Sequence, residues 1–553
     1  MEFDVVVVGS GAGGLTTAFV AAKAGLKVVV LEATDKFGGT TAYSGGGVWV
    51  PGSHHQRAIG IDDSIDQART YLKAVLGNFY DAEKTDAYLA TVNEMLGYME
   101  ANSDVRLTGT DIPDYEPHLP GWNVGRCHLT ADFDGNQLGA DFEKVRPHIP
   151  ETGIFTSMQV APGDAYRMVH WKDSLSNALF AAGRVASYAL DRARGRRGRR
   201  MANGNALAGR LFKSARDAGV TLQNNSRVRE LVVENGRVTG VVVDRNGGTE
   251  TIGAQRAVVL ASGGFGANEE LRRKFMPQSQ AGWSLQPEGN QGDGVAMGVK
   301  AGAVLNESNA SNGIWVPASS FTRPDGTLAK FPSLCFDRHS PGTIMVDARN
   351  GKRFMDESFH YQAFGEITLE KGITKVWMIS DTDSVNKYGM GMIKPKPFSP
   401  KPWVKKGYVK EAATIGELAV QIGLDPAVLE ETVAEFNRHA AEGKDPEFKR
   451  GENAYSAYMG DPTHRPNTAL GPIVKAPFYA LELRPSDLSS LAGLNTNSKS
   501  QVLDGEGKPI PGLYAAGLDN NTMLRGRYPG GGGSLGPAMT FGYIAARHIA
   551  GIA

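Results

Sequence analysis

Hydrophobic residues open the chain without alternation. Residues 4–8, Asp-Val-Val-Val-Val, are a β-branched run that reads as a strand buried on both faces of a parallel sheet. An apolar helical stretch follows over residues 15–24, then a second strand over residues 27–31 that ends at Glu32. Between the first strand and the helix lies Gly9-Ser10-Gly11-Ala12-Gly13-Gly14. Strand, glycine turn, helix, strand and acid, in that order, are the setting a dinucleotide fingerprint requires. Gly9 then makes the tight turn, Gly11 lets a pyrophosphate approach the backbone, and Gly14 lets helix and strand pack. The helix N-terminus, reached through Ala12 and Gly13, faces the phosphates. Glu32, with Ala33 beside it, accepts from a ribose hydroxyl.

Further along, residues 223–243 alternate apolar and polar positions around Asn235-Gly236, a hairpin pattern. Residues 342–347 read as a strand. In the helical run 426–442, Val428, Leu429, Val433 and Phe436 share a face. Residues 257–265 form a strand running into Ala261, Ser262 and Gly263, and residues 511–517 form another that ends at Gly517. One more glycine-rich segment, Gly38-Gly39-Thr40-Thr41-Ala42-Tyr43-Ser44-Gly45-Gly46, follows the second strand. A nicotinamide domain does not need it. A flavin does, because its ring system must lie against backbone.

With 553 residues the chain is too long for one simple core and is expected to hold two or more domains. Lys plus Arg and Asp plus Glu balance at 59 each, so bulk charge points to neither nucleic acid nor an acidic partner. Cys127 and Cys335 are far apart and lack metal spacing, which fits a reduced, cytoplasmic setting. No His, Cys and Asp cluster with ligand spacing is apparent, so no metal is expected. The N-terminus enters a strand at once, without the pattern of a signal peptide. No apolar run approaches the roughly 20 residues that span a bilayer. The strongest charge run, residues 192–200, follows an apolar helical stretch over residues 175–190. It reads either as a solvated loop after a surface helix or as the basic end of an interfacial helix meeting anionic headgroups. No aromatic interleaving accompanies it, which disfavours nucleic acid.

Taken together, the four glycine-bearing pieces resemble the FAD-dependent fumarate reductase/succinate dehydrogenase flavoprotein superfamily over nearly the whole chain. The resemblance implies an α/β fold: a discontinuous Rossmann-like FAD-binding domain (residues 1–310 and 489–553) with an inserted α+β catalytic domain (residues 311–488). It also implies FAD held non-covalently. Some relatives attach the flavin through a histidine, and no histidine lies between Gly38 and Gly52, although His54 and His55 are close. Val228 would lie near the adenine, with Ser534 and Leu535 completing the FAD contacts.

The catalytic signals are tyrosines. Gly351-Lys352-Arg353-Phe354-Met355-Asp356-Glu357 resembles the superfamily signature Gly-x-Arg-Phe-x-Asn-Glu, with Asp356 replacing Asn. Four residues after the Glu, where fumarate reductases carry an arginine, stands Tyr361, as in 3-ketosteroid Δ1-dehydrogenases. The segment 478–488, and the loop holding Tyr528, Gly532 and Gly536-Pro537-Ala538-Met539, resemble that family too. Pro113-Asp114-Tyr115 resembles its remaining tyrosine segment. The resemblance implies 1,2-desaturation of an apolar cyclic ketone, a 3-ketosteroid, with an external electron acceptor. Tyr528 O–H and Gly532 N–H would stabilise an enolate, Tyr361 would take the C2 proton, and Tyr115 would support it. Other readings stay open: 4,5-desaturation, a cyclohexanone-type oxo acid, an alkene reductase of the fumarate or urocanate type, or a non-catalytic electron carrier. Arg338, Arg525 and Arg527 bear on that choice, since a buried arginine would suit a substrate carboxylate.

Overall fold

The computed structural model describes residues 1–195, 197–245, 247–277 and 279–552. An eight-stranded sheet organises the nucleotide end. Strand Glu2–Val8 lies between Gly248–Leu260 and Val28–Leu31, parallel to both, with Val8 opposite Leu260 and Leu31. Thr221–Gln223 and Pro509–Ala515 extend it in parallel on either side. Both faces are covered, as the unbroken valine run requires: Val5 and Val7 enter one core, Val6 and Val8 another. Successive strand side chains point to opposite faces, so one short run seeds two cores.

Helix Ala12–Lys23 begins three residues before the apolar stretch read from the sequence. Its first turn is built from small residues that carry no hydrophobic signal. It packs against the C-terminal helix Leu535–Ala550, where Thr17 Oγ1 donates to Gly13 O (2.8 Å) and is 3.1 Å from Gly542 O. The predicted hairpin is Arg227–Glu234 paired antiparallel with Arg237–Arg245 across Asn235-Gly236.

A second sheet has six strands, all pairings antiparallel. Its order is Leu328–Pro332, Gly313–Thr322, Phe478–Ser490, Val376–Asp381 and Thr343–Asp347, with Val409–Ala412 also on Phe478–Ser490. Helix Tyr361–Glu370 lies so close to strand Gly313–Thr322 that a Cβ on Gly365 would sit 2.1 Å from Trp315 Cβ. Helix Pro426–Ala440 buries Leu429, Val433 and Phe436 as expected, whereas Val428 is half-buried at the edge of that stripe. The two sheets are tied by short polar contacts, among them Phe265 N–H to Ser490 Oγ at 2.9 Å.

Helix Leu175–Ala193 runs past the predicted end and packs against helix Pro162–Val169. Of the basic run that follows, Arg196 lies outside the described residues. Among the described residues no helix is long and apolar enough to cross a membrane.

Candidate active site

A cavity of about 820 Å³ runs between the two sheets. Its nucleotide end is lined by Gly9, Gly11, Ala12, Gly13, Gly14, Glu32, Ala33, Val228, Ala261, Ser262 and Gly263. Gly39, Thr40, Thr41, Ser44, Gly45, Gly46, Gly517, Ser534 and Leu535 continue the lining. Gly38 does not line it. With φ +114°, it shapes the turn behind the wall, and its N–H donates to Ser10 Oγ at 2.9 Å. Gly9 is required by close approach: its φ is +105°, and a Cβ there would meet Ala261 O at 2.2 Å. At Gly11 a Cβ would meet nothing nearer than Thr41 Oγ1 at 3.8 Å, so it would project into the space a pyrophosphate needs. Helices Ala12–Lys23 and Leu535–Ala550 both start at this wall, and helix N-termini favour anions. Glu32 is held by Ser10 Oγ, which donates to Oε2 (2.6 Å), and by Thr34, which donates to Oε1 through N–H (3.0 Å) and Oγ1 (2.8 Å). These donors and spaces fit an FAD.

The other end is apolar and phenolic. Ile112, Leu129, Ile149, Leu285, Leu334 and Leu488 line it, together with Tyr115, Tyr361, Tyr528 and Gly532. The structure therefore brings the three predicted tyrosines and the glycine to one place. Their ring centroids lie 5.6 Å apart for Tyr115–Tyr361, 5.7 Å for Tyr115–Tyr528 and 5.8 Å for Tyr361–Tyr528. The Tyr361 ring stands edge-on to Tyr115 and tilted against Tyr528. Burial pushes all three phenols above their ordinary value, Tyr115 and Tyr361 well above it. The neighbouring Tyr115 hydroxyl opposes this at Tyr361, and Ser534 and Tyr361 oppose it at Tyr528. Ser534 N–H donates to the Tyr528 phenolic oxygen at 3.3 Å.

Gly532 has φ +86°, and a Cβ there would come within 2.6 Å of Trp49 N. Its carbonyl accepts from Trp49 N–H (3.2 Å) and Gly536 N–H (2.9 Å). Its own N–H donates to no protein acceptor among the described residues.

The signature before Tyr361 is a clamp. Arg353 donates to both oxygens of Glu357 (2.8 Å each) and to both of Asp445 (2.9 and 2.7 Å). Arg450 Nη1 adds a contact to Glu357 at 3.1 Å. Removing one partner of such a buried set leaves an uncompensated charge. His360, a residue the sequence reading passed over, caps the helix that Tyr361 begins. Its Nδ1 accepts from Ala363 N–H at 3.1 Å, which leaves Nε2 to donate to Glu116 at 2.9 Å. Its ring stacks on Tyr115 with centroids 4.7 Å apart, so one imidazole orients two of the tyrosines. Tyr455 was also missed. It lines the cavity and stands edge-on to Tyr115 at 5.0 Å. No local spacing marks it.

Arg338, Arg525 and Arg527 do not line the cavity. Arg338 is buried and donates to the carbonyls of Ser333 (2.9 Å), Glu357 (2.6 Å) and Phe359 (2.6 Å). Arg525 holds Asn309 and Ser308, and Arg527 pairs with Glu366 at 3.4 Å. Among the described residues the arginine in the lining is Arg146. It donates to Thr34 Oγ1 (2.8 Å) and Glu288, at the Glu32 end rather than the phenolic end. His54 and His55 likewise lie outside the lining, against Glu100.

The FAD binding domain family matches residues 4–535. The chain is 39% identical to 4-oxocyclohex-2-ene-1-carboxylate 5-dehydrogenase of Sinomonas cyclohexanicum, covering 100% of this chain and 94% of that protein. It is 36% identical to 3-oxosteroid 1-dehydrogenase of Mycolicibacterium smegmatis, covering 100% and 98%. Among solved structures it matches 3-ketosteroid Δ1-dehydrogenase of Sterolibacterium denitrificans in complex with 1,4-androstadiene-3,17-dione. That match has a TM-score of 0.92 and 36% identity, and covers 100% of this chain and 99% of the other.

Proposed function

This chain belongs to the flavoprotein family of the FAD binding domain, alongside 3-oxosteroid 1-dehydrogenases, and we propose that it introduces the C1–C2 double bond of a 3-ketosteroid. It is an FAD-dependent oxidoreductase of the type that dehydrogenates CH–CH bonds in cyclic ketones. Bound FAD supplies the two-electron acceptor for the hydride that leaves C1, and an external acceptor restores it. The residues of this chain supply the rest.

Tyr528 O–H and Gly532 N–H hold the C3 carbonyl oxygen and stabilise the charge that moves onto it. A donor placed where charge develops contributes about 3–4 kcal/mol. Tyr361 oxygen takes the C2 proton. The electrons of that C–H bond form the enolate; as the C1 hydride departs they become the C1–C2 double bond, and the ketone is restored. Burial disfavours tyrosinate at Tyr361, so Tyr115, donating to the same oxygen, makes the base accessible.

The observation that carries this reading is the meeting of Tyr115, Tyr361 and Tyr528 at an apolar wall. The competing reading, a ring ketone bearing a carboxylate, draws on the 39% identical relative. It is disfavoured because Arg338, Arg525 and Arg527 all lie outside the cavity lining. Anaerobic mixing of the oxidised enzyme with 3-ketosteroids and with 4-oxocyclohexanecarboxylate tests both. Loss of flavin absorbance with the steroids is expected; loss with the oxo acid alone would reverse the assignment.

The outer face of helix Leu175–Ala193 supports a place at a lipid surface for this enzyme. Leu175, Leu179, Val185 and Leu190 are exposed there. The neighbouring helix Pro162–Val169 contributes Tyr166 to the cavity lining. Sedimentation with vesicles of phosphatidylglycerol and phosphatidylcholine should carry the wild type down, and Leu175→Ser with Leu179→Ser should release it.

A further inference from the structure

His54 and His55 are adjacent in sequence, and Glu100 lies 45 residues after His55. The fold brings their ligand atoms within 4.8 Å of one another. His54 Nε2 is 3.2 Å from Glu100 Oε2, and His55 Nε2 is 3.0 Å from Oε1. Two imidazole nitrogens and a carboxylate therefore converge on one point, away from the flavin cavity.

We propose that His54, His55 and Glu100 form a binding site for a zinc-class divalent cation.

Donor type is the first argument. Two neutral imidazoles and one carboxylate are a set suited to zinc, leaving a fourth position for water. Spacing is the second. Around a tetrahedral ion with bonds of about 2.0–2.1 Å, neighbouring donor atoms lie roughly 3.3–3.4 Å apart. His54 Nε2 and His55 Nε2 each lie 3.2 Å from the one oxygen Glu100 Oε2, close to that edge, so a small expansion admits an ion.

Support behind the ligands is the third argument. Ser53 and Gln56 close a capping box at the start of the short helix His54–Ala58, which fixes the backbone that carries both histidines. Glu100 stands in the last turn of helix Ala82–Asn102, and its Oε1 accepts from Leu107 N–H at 3.0 Å. Outer-shell bonds of this kind orient ligands and tune affinity. His128 packs beneath His55 with ring centroids 5.4 Å apart. Both its nitrogens are engaged, with Ser53 Oγ (2.6 Å) and Arg126 O (3.0 Å), so it is a support rather than a fourth ligand. The site is also reachable: His54 is half exposed, whereas His55 and Glu100 are mostly covered. An ion here would join two helices, so its binding energy adds to the stability of the folded chain.

Tag-free holoenzyme, stripped with chelator and passed through gel filtration, is titrated with zinc chloride by calorimetry and equilibrium dialysis. One zinc per chain is expected, with a rise in Tm at saturation. His54→Ala and Glu100→Gln should each weaken binding by at least about tenfold and abolish the Tm shift. Both leave the flavin spectrum and turnover intact, which shows that the variants fold. Cobalt(II) in place of zinc should give visible bands that vanish in the same variants. Absence of stoichiometric uptake by the wild type would overturn the proposal, leaving two imidazoles hydrogen-bonded to a carboxylate. Uptake unchanged in both variants would overturn it equally.

Discussion

The two ends of the cavity are built on opposite plans. At the nucleotide end the working atoms belong mostly to backbone, and most come from two runs near the N-terminus, Gly9–Gly14 and Gly39–Gly46. At the phenolic end they belong to side chains from residues 115, 361 and 528, held in place by residues such as His360 that lie outside the cavity lining. Local backbone geometry creates the first site, and packing of distant segments creates the second. Damage to the first should therefore remove the cofactor, and damage to the second should remove chemistry while the cofactor stays.

Gly9→Val is the strongest challenge to that contrast. Its side chain would overlap Ala261 backbone, 2.2 Å from the Cβ position, so the purified protein should carry almost no flavin by absorbance. Retention of FAD would break the comparison at once. Tyr361→Phe and Tyr528→Phe come next. Each should keep full flavin content while kcat falls by about 10²–10⁴-fold for the base and about 10²–10³-fold for the carbonyl donor. Stopped-flow reduction of the flavin reads the step directly, and loss of FAD in either variant would show that the two ends are not separable.

Tyr115→Phe should have a smaller and more specific effect. The proposed base Tyr361 would act only when deprotonated, and burial raises its pKa, so the rate should climb with pH through the alkaline range. Removing the Tyr115 hydrogen bond raises it further. The climb should then move to higher pH, and the rate at a fixed pH on the slope should fall by about tenfold as the tyrosinate fraction drops. An unmoved pH profile would confine Tyr115 to packing. Arg527→Gln should do least. Its ion pair with Glu366 is partly exposed, where such pairs contribute about 0–1 kcal/mol, and KM for the ketone should stay within about twofold.

Much of the first plan was legible in the chain. The valine run, the glycine loop and Glu32 lie within a few dozen residues and act through rules of local geometry. Gly38 marks the limit: its glycine character was visible, but not that it serves the turn behind the wall instead of the wall itself. In the second plan Tyr361, Tyr528, Gly532 and Tyr115 were legible through resemblance, as residues without a common address. His360 and Tyr455 were not, because capping, stacking and edge-on contacts leave no periodic trace. The arginines were misleading for the same reason. A buried guanidinium that donates to three carbonyls and one that lines a substrate cavity look alike in one dimension. His54, His55 and Glu100 likewise lack any spacing that announces a ligand set.

By itself, then, the sequence determined that a nucleotide wall exists and where its backbone turns, since steric limits on φ and on Cβ operate between near neighbours. Only the tertiary structure decided which distant side chains share one apolar end, which arginines are already occupied, and how a stacked imidazole orients two phenols. Those outcomes depend on burial and on hydrogen-bond partners supplied by segments hundreds of residues away, and neither quantity exists until the two sheets close around the cavity.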